Sequence, residues 1–373
     1  MNLSISLNPQ QREAVETTRG PMLILAGAGS GKTRVIVHRI AYLIREQVPP
    51  SRIIAVTFTN KAANEMKERL SQMLGESGKG VHLSTFHSLG VRILRETIDL
   101  LGYHKYFVIY DSQDQLALIR NLMDEEGISE SPLIDLKSAQ QMIHHAKTRG
   151  TSPEELLVPN ALTRTRLAGQ LYQQYQETLK GCNALDFEDI LNFCLKLFES
   201  HAVKMQEIRD RFRYVMVDEY QDTNSVQYRL LKHLVRDHRN LCVVGDDDQS
   251  IYGWRGAEPG NLFQFEKDFQ DVKVVRLEQN YRSTEVILKA ANALIENNSQ
   301  RMPKTLWSEK PGGELLGWIE AEDEVLETET VVRRIRLDIM RNNRKLEEYC
   351  ILYRSNFQSR VLEESLRAVS YTH

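Results

Sequence analysis

Cysteine is scarce and dispersed: the 373 residues hold four, at Cys182, Cys194, Cys242 and Cys350. None stand at the short paired spacing of a structural zinc site or at the density of a secreted disulfide framework, so both are excluded and buried free thiols are expected. Long apolar runs are missing too, and with them a bilayer-spanning helix. The opening Met1-Asn2-Leu3-Ser4-Ile5-Ser6 has neither the basic start nor the apolar core of a secretory signal; the expectation is a cytoplasmic protein with no membrane partner. Neither sign of charge dominates, since 48 Lys and Arg against 51 Asp and Glu leave a formal net charge of −3. Whole-molecule electrostatics therefore does not advertise nucleic acid, and any such binding must come from a local groove. Internal repeats and low-complexity tracts are absent. What remains is an ordinary globular composition, 41% hydrophobic and 27% charged, in a chain long enough for two or three domains.

The most informative feature present is a series of short apolar runs, each followed at once by a polar loop. Met22–Leu25 runs into Ala26-Gly27-Ala28-Gly29-Ser30-Gly31-Lys32-Thr33, Ile53–Val56 into Thr57-Phe58-Thr59-Asn60-Lys61, and Val81–Leu83 into Ser84-Thr85-Phe86-His87-Ser88. Tyr214–Val217 ends in Asp218-Glu219-Tyr220-Gln221-Asp222, Leu241–Val244 in Gly245-Asp246-Asp247-Asp248-Gln249, and Val272–Leu277 in Glu278-Gln279-Asn280-Tyr281-Arg282. Runs this short and rich in Val and Ile read as buried strands of a parallel sheet. Ile36, Ile40, Leu43 and Ile44 fall at helical spacing after the first loop. Alternation of strand and helix predicts a doubly wound α/β domain, in which loops at the carboxyl ends of the strands share one crevice.

The stretch 89–185 breaks this rhythm and reads as a helical inserted subdomain, with segments such as Asp114–Glu125 and Ala168–Leu179. The expected division is 1–88 and 186–280 for the two parts of the first α/β domain, 89–185 for the insertion, and 281–373 for the opening of a second α/β domain. In the last region a helix over Thr284–Glu296 is expected, then Leu315–Ile319, Asp323–Arg341 and Tyr349–Tyr353 as β, α and β.

Gly31-Lys32-Thr33 closes a Walker-type loop between strand and helix. Small residues there let backbone amides approach phosphates, and the helix N-terminus favours their charge. Ala28, Gly29, Ser30 and Gly31 would line that cradle, Lys32 would reach the terminal phosphates, and Thr33 would bind Mg²⁺. Asp218 and Glu219, at the end of an apolar strand, supply the other half: one carboxylate for Mg²⁺, and a neighbour to orient and deprotonate water. Together the two motifs indicate nucleoside triphosphate hydrolysis rather than binding alone.

Leu7-Asn8-Pro9-Gln10-Gln11, AGAGSGKT (26–33), TFTNKAA (57–63), STFHS (84–88), LDFEDI (185–190), DEYQDT (218–223), GDDDQSIYGWRGA (245–257) and LEQNYRS (277–283) occur in this order. The set resembles the UvrD/Rep/PcrA group of superfamily 1 DNA helicases over essentially the whole chain, with a particularly strong match to Rep-like members. The resemblance implies RecA-like P-loop motor domains that use ATP and Mg²⁺ to move 3′-to-5′ on single-stranded DNA. It implies that Gln11 recognises adenine, with the base between Arg34 and Tyr281, that Gln249 senses the γ-phosphate, and that Arg282 is an arginine finger. It places Phe58, Phe187, Tyr252 and Trp254 along the strand with His87 and Arg255 nearby; Asn60 and Lys61 share the loop of Phe58, and Lys61 and Arg255 could face phosphates. Loop aromatics suit base stacking, which does not read sequence; for Phe187, packing between domains is an equal alternative. Single-stranded and duplex or forked DNA, and replication or repair proteins, are the partners implied. The family's later motifs are not found after Leu352-Tyr353-Arg354-Ser355-Asn356, and Val369–His373 does not resemble a domain end. The expectation is a truncated chain that binds nucleotide weakly, hydrolyses it slowly and does not unwind processively. Two other readings stay open: the motor of a helicase–nuclease, and an ATP-switched DNA-binding module without motor action.

Overall fold

The computed structural model describes residues 7–370, except for the side chains of Arg255 and of residues 368–370. The opening hexapeptide and the last three residues, on which the signal-sequence and chain-end readings rest, lie outside the described residues. Eight strands occur among those described: β1 Met22–Ala26, β2 Ile53–Thr57, β3 His82–Thr85, β4 Val108–Ile109, β5 Ala184–Leu185, β6 Tyr214–Val217, β7 Leu241–Gly245 and β8 Lys273–Leu277. Six form one sheet in the order β3-β2-β6-β7-β1-β8, and every pairing is parallel. These six are the apolar runs read from the sequence.

The runs are apolar throughout because both faces of the sheet are covered. All five residues of β1, β2 and β7 are buried. Successive side chains of a strand point to opposite faces, and β1 divides accordingly. Met22, Ile24 and Ala26 pack with Val35, Ile36, Ile40 and Leu43 of the helix Lys32–Arg45. Leu23 and Leu25 face the other way, into a core shared with Ile190, Leu191, Leu230 and Leu231 from the helices Phe187–Ser200 and Ser225–Val235. Each such side chain contributes about 1.5–3 kcal/mol through removal from water.

β4 and β5 form a separate parallel pair, Val108 with Ala184 and Ile109 with Leu185, which brings the two ends of the insertion together. Between them the helices Ser112–Glu125, Leu136–Arg149 and Thr163–Gly181 enclose their own core of Ile119, Met123, Ile143, Leu171, Tyr175 and Leu179. The helix Phe86–Thr97, placed from Leu89 onward in the insertion by the sequence pattern, sends Leu89, Ile93 and Leu94 into the core of the main sheet instead.

The chain divides into two compact units, residues 1–312 and 313–373. The helix Glu285–Ile295 belongs to the first. In the second, the helix Glu324–Asn342 starts at Asp323, whose side chain accepts from the Leu326 amide at 2.7 Å. The expected strands Leu315–Ile319 and Tyr349–Tyr353 are not strands: among the described residues neither joins a sheet. A strand exists through its ladder, and Leu315, Trp318 and Leu352 stand 87%, 86% and 90% exposed. No helix of the described residues is long and apolar enough to cross a membrane.

Candidate functional site

A parallel sheet puts every strand's carboxyl end on one edge, and there the loops meet. After β1 the chain turns through Gly27–Gly31 into the helix Lys32–Arg45, whose N-cap Gly31 has φ 87° and no side-chain cap. The first helical amides are therefore left for an anion, the arrangement that phosphate favours. Gly29 has φ +71°, and a Cβ there would lie 2.6 Å from Asn280 Nδ2 and 2.9 Å from Arg282 Cβ. Both backbone conformation and space require glycine.

Lys32 Nζ lies 2.8 Å from Glu219 Oε2 and 3.4 Å from Gln249 Oε1. Thr33 Oγ1 is 3.4 Å from Asp218 Oδ2. Residues 32, 33, 218, 219 and 249, contributed by the ends of β1, β6 and β7, thus form one constellation. Burial, and then the negative charge of Glu219, push the Asp218 carboxyl up to about 6, against the pull of Lys32. Glu219 itself sits at φ +51°, a left-handed conformation that costs a non-glycine residue on the order of 1 kcal/mol. Its carboxylate also accepts from Gln221 Nε2 at 2.7 Å. The Asp218 and Thr33 oxygens fit a hard cation, which takes oxygen donors; a buried carboxyl held against its preference for water is a suitable ligand.

The loop after β8 closes over the phosphate loop. Asn280, which the sequence reading passed over between its flanking motif residues, holds it: Nδ2 donates to the Ala28 carbonyl at 2.5 Å, while Oδ1 accepts from the amides of Arg282 at 2.8 Å and Ser283 at 2.7 Å. The Tyr281 amide donates to the Gly29 carbonyl at 3.0 Å. The backbone at Arg282 is thus fastened beside the cradle, with its side chain exposed. Asn8 caps the first helix and donates to Tyr281 Oη at 2.9 Å. Gln11 is fully buried: its Nε2 donates to the Ser30 carbonyl at 2.9 Å, and its Oε1 accepts from the Asn8 amide at 3.2 Å. The amide expected to read a base is turned toward the phosphate loop here. Arg34, on the helix that follows the loop, is half-buried.

A second cluster lies along the same edge. A cleft of about 520 Å³ is lined by Phe58, His87, His144, Glu188, Asp222 and Trp254, among others. Phe58 and Tyr252 lie nearly parallel, ring centres 6.0 Å apart at 11°, and Tyr252 is 6.5 Å from Trp254. His87 meets Phe187 edge-on at 5.7 Å. Trp254 is 70% exposed, an unusual position for an indole without a ligand. Burial pushes the His87 pKa down, so near neutral pH it presents an uncharged ring rather than a cation. Asn60 and Lys61 are exposed in the first turn of the helix Asn60–Leu74. Arg255 ends the short turn Gly253–Arg255; its side chain lies outside the described groups.

Behind the cleft sits a buried charge cluster that sequence patterning had no means of finding. Lys147 Nζ, from the insertion, lies 2.5 Å from Asp186 Oδ2 and 2.8 Å from Asp189 Oδ1. Tyr175 Oη donates to Asp186 at 3.1 Å and Gln176 Nε2 to Asp189 at 3.1 Å. Burial works against the charge on Lys147, and the two aspartates outweigh it, so its pKa rises. Asp186 caps the helix that begins with Phe187, so this cluster sets where Phe187 and Glu188 enter the cleft.

A six-stranded parallel sheet with a glycine-rich loop after one strand, an acid pair after another and a polar loop after a third has the architecture of a RecA-like P-loop domain. Comparison with known families narrows the class. The chain belongs to the UvrD/REP helicase family: the UvrD/REP helicase N-terminal domain matches residues 7–270, and the UvrD-like helicase C-terminal domain matches residues 275–371. It is similar to the ATP-dependent DNA helicase PcrA of Bacillus subtilis, 46% identical over 361 residues, which is 96% of this chain and 49% of that protein. Proteins of the same description from Staphylococcus aureus, over 360 residues, and Staphylococcus epidermidis, over 361, are also 46% identical and are covered to the same shares. The chain spans about half the length of the curated relatives it matches.

Proposed function

We propose that this chain is the ATP-driven motor portion of a DNA helicase that moves 3′-to-5′ on single-stranded DNA. The observation that carries this reading is the hydrogen-bonded set Lys32, Glu219 and Gln249, whose sensor loop runs on within five residues to the ring cluster of Tyr252 and Trp254. In this reading the free amides of the loop and Lys32 hold the phosphates, and Thr33 and Asp218 hold Mg²⁺. The metal, when bound, neutralises phosphate charge. Lys32 then has a choice of anions, and its move from Glu219 to phosphate frees that carboxylate to take a proton from water. Gln249 follows the same event through its own bond to Lys32. Arg282, fastened beside the cradle, adds positive charge where negative charge builds, an effect worth roughly 10³–10⁵ in rate in comparable enzymes. Arg34 and Tyr281 flank the place of the base, and Gln11 leaves its bonds to Ser30 and Asn8 to read it.

Along the cleft, Phe58, Tyr252 and Trp254 stack bases, with His87 and Phe187 beside them; Asn60, Lys61 and Arg255 meet the backbone. Duplex or forked DNA, and replication or repair proteins, are the further partners this reading implies. ATP turnover with and without single-stranded DNA tests it. Lys32→Ala abolishes turnover, whereas Trp254→Ala mainly removes the stimulation by DNA. Turnover indifferent to DNA in the wild type, or equal losses of basal and stimulated rates in Trp254→Ala, would overturn the motor reading.

A further inference from the structure

The acidic turn after β7 is held by a cation from a distant part of the chain. Asp246 Oδ1, Asp247 Oδ1 and Asp248 Oδ2 each lie 2.7 Å from the ammonium of Lys304, which is buried. The three carboxylates are close enough together to bind an ion, and the lysine head occupies that point. Arg301 adds two bonds to Asp248, from Nε at 3.0 Å and from Nη2 at 2.7 Å, and the Met302 amide donates to Asp247 at 2.7 Å.

Asp246 is the member that reaches the nucleotide site. Its Oδ2 accepts from Gln249 Nε2 at 2.5 Å, and Gln249 Oε1 accepts from Lys32 at 3.4 Å. Its amide donates to Gln221 Oε1 at 2.9 Å, and Gln221 Nε2 donates to Glu219. An unbroken polar line therefore runs from Lys304 through Asp246 to the sensor glutamine and the acid. The same segment touches the other two loops of the site. Leu306 covers Gly27 of the phosphate loop so closely that a Cβ there would lie 2.2 Å from Leu306 Cδ2. Trp307 pairs with the start of the arginine loop: its amide donates to the Glu278 carbonyl at 3.0 Å and its carbonyl accepts from the Asn280 amide at 2.7 Å.

We propose that Arg301–Trp307 is a strap that aligns the three nucleotide-site loops, and that Lys304 is a positioning residue acting on Gln249 through Asp246. The inference rests on the site being an ATPase. Lys304 touches none of the groups assigned to the phosphates; it fixes the direction in which Asp246 offers its second oxygen, and so which way the Gln249 amide faces. Loss of the lysine frees that carboxylate to turn, and the sensor's alignment is lost while the cradle itself stays formed.

The test compares Lys304→Met, Asp246→Asn and Arg301→Gln by steady-state ATP hydrolysis, with thermal melting to follow the fold. Lys304→Met and Asp246→Asn lower kcat by about tenfold or more with KM for ATP changed by less than about threefold, and the double variant is no worse than either alone. Arg301→Gln, which loosens the strap at Asp248 and at the Lys304 carbonyl but leaves the Lys304–Asp246 pair in place, lowers the melting temperature and lowers kcat by less than Lys304→Met does. Asp246→Asn keeps shape and volume, so it reports even if Lys304→Met does not fold. An active wild type with equally active Lys304→Met or Asp246→Asn overturns the strap alone, and a kcat loss in Arg301→Gln equal to that in Lys304→Met overturns the assignment of the effect to Lys304 and Asp246. A wild type that hydrolyses no ATP overturns the ATPase reading and the strap with it.

Discussion

Replacement of Lys147 by methionine removes the one positive charge from a buried site that also holds two aspartates. The lysine is 1% exposed and bonded to both Asp186 and Asp189, so water cannot take over its role. Removing one partner of a buried ion pair costs about 3–5 kcal/mol, because the remaining charge is left uncompensated. At about 2–4 °C per kcal/mol, that predicts a fall in melting temperature of roughly 6–20 °C at neutral pH. The loss depends on pH in a defined direction. Burial, then the charge of Asp186, already raise the Asp189 pKa even with the lysine opposing them. A carboxyl whose folded pKa is raised binds protons more readily in the folded state, so its penalty is relieved as pH falls through that value and grows as pH rises. The gap between wild type and Lys147→Met should thus be larger at about pH 8 than at about pH 5.5. Adding Asp186→Asn and Asp189→Asn should recover most of the loss. Melting followed by circular dichroism measures all of these, and a single variant within about 1 kcal/mol of wild type would refute the argument.

Two further outcomes follow from geometry. Gly29→Ala places a side chain at φ +71° against Asn280, adding about 1–2 kcal/mol of backbone strain and weakening the Asn280–Ala28 bond, itself worth about 0.5–1.5 kcal/mol; melting falls and affinity for a fluorescent ATP analogue falls with it, and unchanged affinity would count against the closure of that loop over the phosphates. His144 Nδ1 donates to Glu188 Oε1 at 3.1 Å, and this bond raises its pKa against the opposing effect of burial. Its contribution is complete below the ordinary histidine value of 6.5 and disappears as pH rises through the higher folded value, so His144→Gln should cost more melting temperature in acid than in alkali. Equal cost at both would exclude the ion pair.

The sheet was legible in the sequence because its strands are covered on both faces, which turns β1, β2 and β7 into unbroken apolar words. The meeting of residues 32, 33, 218, 219 and 249 was legible for a second reason: parallel strands leave their following loops on one edge. Strand order carried no local signal, nor did the polar contacts made across long stretches of chain. Lys304 is 57 residues from Asp247, and Lys147 is 39 from Asp186. A single lysine in a polar stretch reads as solvated, since nothing beside it reveals three or two carboxylates waiting elsewhere. Asn280 was hidden differently: asparagine is at home in any turn, and only the Ala28 carbonyl opposite it discloses its task. The apolar segments at Leu315–Ile319 and Tyr349–Tyr353 have strand composition, but composition does not supply a ladder partner.

The near-parallel rings of Phe58 and Tyr252 have a further consequence. Their centres are 6.0 Å apart, within the range of about 4.5–7 Å for an offset-stacked aromatic pair, so each ring lies partly against the other. Under the proposed reading a base stacks on either ring in competition with that ring pair, whose contact is worth about 0.5–1.5 kcal/mol. Since Tyr252 lies three residues from Gln249 on the same loop, a rearrangement of the sensor acts on that ring contact directly, and a tracking motor needs no longer lever.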